Sequence, residues 1–99
     1  MNPVIEMVTF KLVNGSSDAQ FLDANQHLND WVKRQPGFRN RTLVKQENGV
    51  WMDMVQWDAL TDAKVAAEQF MRDMSQSECM ALIDPDTVVM AHHPIHMTL

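Results

Sequence analysis

Three ionisable side chains stand on segments that are otherwise apolar. Glu6 lies in Val4–Val13, where Val4, Val8, Phe10 and Leu12 share one side and Ile5, Met7 and Val13 the other. Asp53 lies in Val50–Asp58, in phase with Trp51, Val55 and Trp57 and alternating with Val50, Met52 and Met54. His92 lies in the last apolar segment. A carboxylate on an apolar face is costly unless it is paired or hydrogen-bonded. Burial also raises its pKa, which suits it to accept a proton. The chemistry these groups offer is general-base removal of an acidic proton from an apolar molecule. Two readings stand for Asp53: a base, or one half of a structural salt bridge to Arg39, Arg41 or Lys11. His92 is a base or a packed, hydrogen-bonded histidine. Glu6 carries the same ambiguity as Asp53.

Other constellations offer less. His92, His93 and His96 form an H-H-x-x-H string. On a strand, His92 and His96 lie ~13 Å apart at ~3.3 Å rise per residue, too far for one ion with bonds near ~2.0 Å. Pro94 blocks the helix that would bring them together. No metal site is expected. Cys79 is the single cysteine, so neither an intrachain disulfide nor a multi-cysteine zinc site can form. It reads as a small buried hydrophobe. No G-x-S-x-G elbow is present. The three glycines, at 15, 37 and 49, write neither a G-x-G-x-x-G nor a P-loop. A substrate pocket would draw on Trp57, on His27 and Leu28 of the first helix, and on Phe70 of the second; the other readings are a core anchor for Trp57 and a plain boundary histidine for His27.

Composition narrows the class. Ninety-nine residues make one domain, spanning 1–99. The chain is 45% hydrophobic and 21% charged, an ordinary globular balance. A net charge of -5 argues against nucleic acid as a partner. No apolar run approaches the ~18–20 residues that would cross a bilayer. The N-terminal Met1-Asn2-Pro3-Val4-Ile5-Glu6 lacks the basic region of a signal peptide, so a cytoplasmic protein is expected. Nine methionines suit irregular cores and adaptable apolar cavities.

The elements that must position these residues follow from periodicity and punctuation. Val4–Val13 reads as a strand, ended by Asn14-Gly15. Ser16 or Ser17 caps a helix that runs to about Gln35, with Phe21, Ala24, Leu28, Trp31 and Val32 as its stripe. Pro36-Gly37 stops it. Phe38–Glu47 is a more charged, edge-type strand. Asn48-Gly49 supplies a hairpin turn, with positive φ expected at both residues, and Val50–Asp58 is the third strand. Thr61 or Asp62 caps a second helix, whose Ala63, Ala66, Ala67, Phe70, Met71 and Met74 give the clearest periodicity in the chain. Glu78–Ile83 adds one helical turn. Thr87 to about Met97 is the last strand, pushed to an edge by Pro94. The order β-α-β-β-α-β predicts an α+β, ferredoxin-like split βαβ: a four-stranded antiparallel sheet, order 4-1-3-2, with both helices on one face. Strands one and three are apolar on both faces, yet the helices cover one. A second copy placed sheet to sheet would cover the other, so a homodimer through the sheet faces is expected.

The element order, the Gln35-Pro36-Gly37-Phe38 break, Trp57 closing the third strand, and Met80-Ala81-Leu82-Ile83-Asp84-Pro85 resemble the dimeric α+β barrel proteins, in their antibiotic biosynthesis monooxygenase-like branch. The resemblance implies a homodimer whose sheets form a barrel, with a pocket between sheet and helices. It implies a cofactor-independent monooxygenase-like enzyme acting on an apolar or aromatic small molecule; Asp53, His92 and Glu6 are the candidate catalytic groups by their place on apolar strands. The heme-degrading members carry an Asn on the first strand and a His on the second helix. This chain has neither, so no cofactor is expected. A non-catalytic ligand-binding module or a purely structural homodimer is the alternative reading.

Overall fold

A computed structural model describes residues 2–99. Strands β1 (Val4–Phe10), β2 (Phe38–Lys45), β3 (Trp51–Trp57) and β4 (Val89–Pro94) form one sheet in the order β2-β3-β1-β4, every pair antiparallel. Helices α1 (Asp18–Val32) and α2 (Leu60–Asp73) and the short α3 (Glu78–Leu82) pack on one face of it. This is the ferredoxin-like β-α-β-β-α-β arrangement that the periodicity predicts. Among the described residues no helix is long and apolar enough to cross a membrane.

The inward strand positions alternate as the pleat requires. Val4 and Phe10 of β1 and Trp51, Val55 and Trp57 of β3 are all less than 9% exposed. Against them α1 lays Phe21, Ala24, Trp31 and Val32, and α2 lays Ala63 and Ala66. Small alanines on α2 let that helix approach the large rings of β3. Edge-to-face contacts between Phe10 and Phe21, Phe21 and Trp51, and Trp31 and Phe70 tie the layers together.

Several boundaries differ from expectation. β1 ends at Phe10 because the Lys11 N–H donates to Thr87 Oγ1 and Leu12 bridges to Ile83, away from β3. Ser17 caps α1, accepting from the Gln20 N–H, but the helix ends at Val32. Its last turn tightens: the Arg34 and Gln35 N–H groups donate three residues back, to Trp31 and Val32. α2 is not capped by Thr61 or Asp62. Its N-cap is Ala59, with no side-chain hydrogen bond, because β3 stops at Trp57 and the chain turns at once. The Asp58 N–H donates to the Gly37 carbonyl and fixes that corner. In the β2–β3 hairpin only Gly49 takes a positive φ, of 88°, and Asn48 does not. β4 starts at Val89, because Pro85–Thr87 forms a 3-10 turn capped by Asp84.

The outer sheet face presents Ile5 and Met7 of β1, Met52 and Met54 of β3, Val44 of β2 and Val89 of β4. No helix covers it; the residues from β1 and β3 are half-buried by their neighbours, and Val89 is 65% exposed.

Candidate active site

The sheet register assembles the site. Arg41 pairs with Val55, Val55 with Glu6, and Glu6 with His92, so one row crosses all four strands. The next row is Leu43, Asp53, Val8 and Met90. Inward side chains in facing positions stand about 5 Å apart, and diagonal ones remain within reach of long side chains. Four polar groups therefore meet on the helix-covered face at the middle of the sheet.

They form two pairs. His92 Nε2 lies 2.8 Å from Glu6 Oε2, both side chains mostly buried. Burial raises the Glu6 pKa above its ordinary value; the His92 hydrogen bond and charge pull it down without winning, and the nearby Asp53 adds to the rise. The second pair is bidentate. Arg41 Nε and Nη2 donate to the two Asp53 carboxylate oxygens at 3.0 and 2.8 Å. Arg41 Nη2 also donates to Asn25 Oδ1 and Nη1 to Asn29 Oδ1, both at 2.7 Å. Asn25, 2% exposed, is itself held by its Nδ2 donating to the Phe21 carbonyl. Asp53 is thus fully engaged as a structural carboxylate. Of its two readings, the salt bridge to Arg41 is the one this geometry shows: one guanidinium holds both oxygens.

A cavity of about 300 Å³ opens between the sheet and the helices. Its wall is almost wholly apolar, from Val8, Val55 and Trp57 on the sheet and Leu28, Ala67 and Phe70 on the helices. Glu6, Arg41 and Asp53 are the charged groups that reach it. His92 stands behind Glu6 and is not in the wall. Cys79 contributes to the wall, where burial pushes its thiol up to about 11 against the opposing pull of Arg41. Such a thiol stays protonated and unreactive near neutral pH.

The expected pocket residues divide. Trp57, Leu28 and Phe70 line the cavity. Trp57 is 2% exposed, packs edge-to-face on Phe38, and its indole N–H has no partner among the described residues. His27 is exposed on α1 and does not line the cavity, which corrects its reading as a binding residue: one helical step from Leu28 turns it outward. Asn25 and Arg41 join the site beyond the expected pocket residues. Asn25 stands at i+4 from Phe21, a polar residue on the apolar stripe, and that position is its signal. Among the described residues no three His, Cys, Asp or Glu side chains converge as a metal would need.

No family sequence model and no curated protein matches the chain in sequence. Its fold does match solved structures. SnoaB, a cofactor-independent oxygenase from Streptomyces nogalater, superposes with a TM-score of 0.77 at 18% identity, covering 100% of this chain and 98% of that one. A monooxygenase from the ActVA-Orf6 gene of Streptomyces coelicolor, solved with nanaomycin D, gives 0.70 at 13% identity over 99% and 91%. The chain has the fold of the antibiotic biosynthesis monooxygenases. MhuD, a heme-degrader from Mycobacterium tuberculosis solved with two hemes in its active site, shares this monooxygenase fold, with a TM-score of 0.79 at 11% identity over 97% and 98%. Here α2 gives the cavity Ala66, Ala67, Phe70 and Met71, and no histidine lies in the wall. These residues do not fit a heme held by a helix histidine.

Proposed function

We propose that the protein is a cofactor-independent oxygenase acting on an apolar ring compound with an acidic C–H or O–H. The observation that carries this reading is Glu6, a carboxylate in an otherwise apolar cavity wall with its pKa raised and His92 behind it. The fold shared with SnoaB supports it. Glu6 accepts the substrate proton. His92 orients the carboxylate through its ring nitrogen. The substrate anion, formed as Glu6 takes the proton and becomes neutral, lies between Trp57, Leu28 and Phe70 and gives an electron to O2. The radical and superoxide combine to a hydroperoxide, which loses water. A ring CH2 and O2 thereby become C=O and H2O, with the substrate oxidised by four electrons and both oxygen atoms accounted for.

The uncovered outer sheet face supports a homodimer, sheet to sheet, with Met7, Met52 and Met54 at its centre.

Oxygen uptake tests the activity. Enolisable tricyclic ketones such as anthrone, added to the purified protein without metal or flavin, should consume one O2 per ketone converted. Glu6→Gln should abolish most of this uptake. Binding of the same compounds with no uptake above the spontaneous rate overturns the oxygenase reading and leaves a binding module.

A further inference from the structure

Arg41 is the cation of the cavity wall among the described residues, and its charge is already spent. A guanidinium has five N–H donors. Four are used here: two on Asp53, one on Asn25, one on Asn29. The Arg41 side chain is 8% exposed and that of Asp53 15%. The Arg41–Asp53 pair therefore leaves no uncompensated positive charge in the wall, where Glu6 is the other carboxyl group. We infer that this network makes the cavity selective for neutral ring compounds, and that Asp53 is the specificity-determining residue. The inference rests on reading the cavity as the ligand site.

An anionic ring compound entering this space leaves its hydration shell and finds no free cation in exchange. It also meets Glu6. A neutral ring loses little hydration and fits the apolar wall. Arg41 can offer it one remaining N–H. The apolar wall alone would also prefer neutral ligands, so the assignment to Asp53 needs the variant. Asp53→Asn keeps the volume and removes the charge. Arg41 then presents an uncompensated guanidinium to the cavity, while Glu6 is unchanged. A ligand carboxylate can take the place of the lost one, in a charge-assisted and bidentate manner.

Calorimetric titration of the full-length protein near neutral pH tests this with three probes of one shape: 1-naphthol, 1-naphthoate and 1-naphthylmethylammonium. The wild type should bind 1-naphthol most tightly. Asp53→Asn should gain at least about tenfold affinity for 1-naphthoate, the strength of one hydrogen bond to a charged group. Its melting temperature should rise with 1-naphthoate, as that of the wild type does not. Arg41→Gln should show the mirror effect, gaining affinity for the ammonium probe because Asp53 is left unpaired. Equal or tighter binding of 1-naphthoate by the wild type overturns the inference. So does a folded Asp53→Asn without the gain. If Asp53→Asn does not fold, Arg41→Gln decides: no gain for the ammonium probe overturns the inference. If neither variant folds, the pair is structural and the assignment of specificity to Asp53 is overturned, while the wild-type order decides the selectivity of the cavity. Failure of the wild type to bind any probe overturns the cavity reading itself, and is thereby distinguished from a failure of selectivity.

Discussion

Glu6 and His92 face each other across the β1–β4 ladder, carboxylate oxygen to ring nitrogen at 2.8 Å, with only Glu6 reaching the cavity. In the proposed mechanism that arrangement separates two roles: Glu6 touches the ligand space, and His92 would act through Glu6. Glu6→Gln keeps the volume but cannot accept a proton. A general base contributes roughly 10²–10⁴-fold, so oxygen uptake on an active substrate should fall by that order. His92→Gln should cost less and should shift the pH profile, because it changes the basicity of Glu6 and leaves the base in place. A Glu6→Gln protein with full turnover would remove Glu6 from the mechanism.

The pH dependence follows from the same burial. The folded protein holds Glu6 above its ordinary value of 4.5. The protonated form is therefore favoured by folding. Its contribution to stability is present below about 4.5 and is lost as pH rises through the folded value. The acid limb of the rate profile should accordingly lie above 4.5, since activity needs the carboxylate. In urea unfolding, Glu6→Gln should gain on the wild type steadily as pH climbs from acid toward neutral. A stability difference that is flat across this range would mean that burial does not perturb Glu6.

Much of this was legible in the sequence, and the misses have physical causes. Element order follows from periodicity, and the two-sided apolar pattern of β1 and β3 marks the uncovered face. Glu6, Asp53 and His92 stood out as ionisable groups on apolar strands, and all three do point to the helix side. Which of them Arg41 clamps is not legible. That depends on register, and a residue's cross-strand partners are fixed by turn geometry and by bulges such as the one between Phe38 and Asn40. The shift at that bulge places Arg41 beside Val55, diagonal to Asp53, and so decides that Asp53 is paired. His27 failed for a simpler reason. His27 stands four residues before Trp31, but Leu28 and Ala24 occupy the buried side and His27 turns away.

The two Arg–Asp pairs across the β2–β3 hairpin should differ sharply in what they contribute. Arg39–Asp58 is half exposed, with side chains 44% and 55% accessible. An exposed pair contributes about 0–1 kcal/mol, so Asp58→Asn should move the urea midpoint little. Arg41–Asp53 is almost buried. Removing one partner strands a charge among apolar neighbours and costs about 3–5 kcal/mol. Asp53→Asn should therefore lower the midpoint markedly. If the two variants unfold together, Arg41 is reaching water and the closed network described here is wrong.

The outer sheet face gives the last prediction. Met54 stands at its centre, opposite Met7 on β1 and Thr42 on β2. In an isolated chain this face meets water, and an aspartate at 54 would stay hydrated at little cost. In a sheet-to-sheet dimer, an obligate interface of about 2,000 Å² or more would close over it. Each copy would then bury an unpaired carboxylate, facing its symmetry mate, at a cost of several kcal/mol. The two situations predict opposite results for Met54→Asp. A dimer should fall to monomer mass in sedimentation, or unfold with it; an isolated chain should not change. Val65→Glu supplies the control, because Val65 is 60% exposed on α2, away from the sheet's outer face. It should sediment like the wild type. A wild type that runs as a monomer at micromolar concentration would overturn the dimer. The apolar outer face would then need another occupant, because contiguous exposed apolar surface of this kind is rare on a monomer.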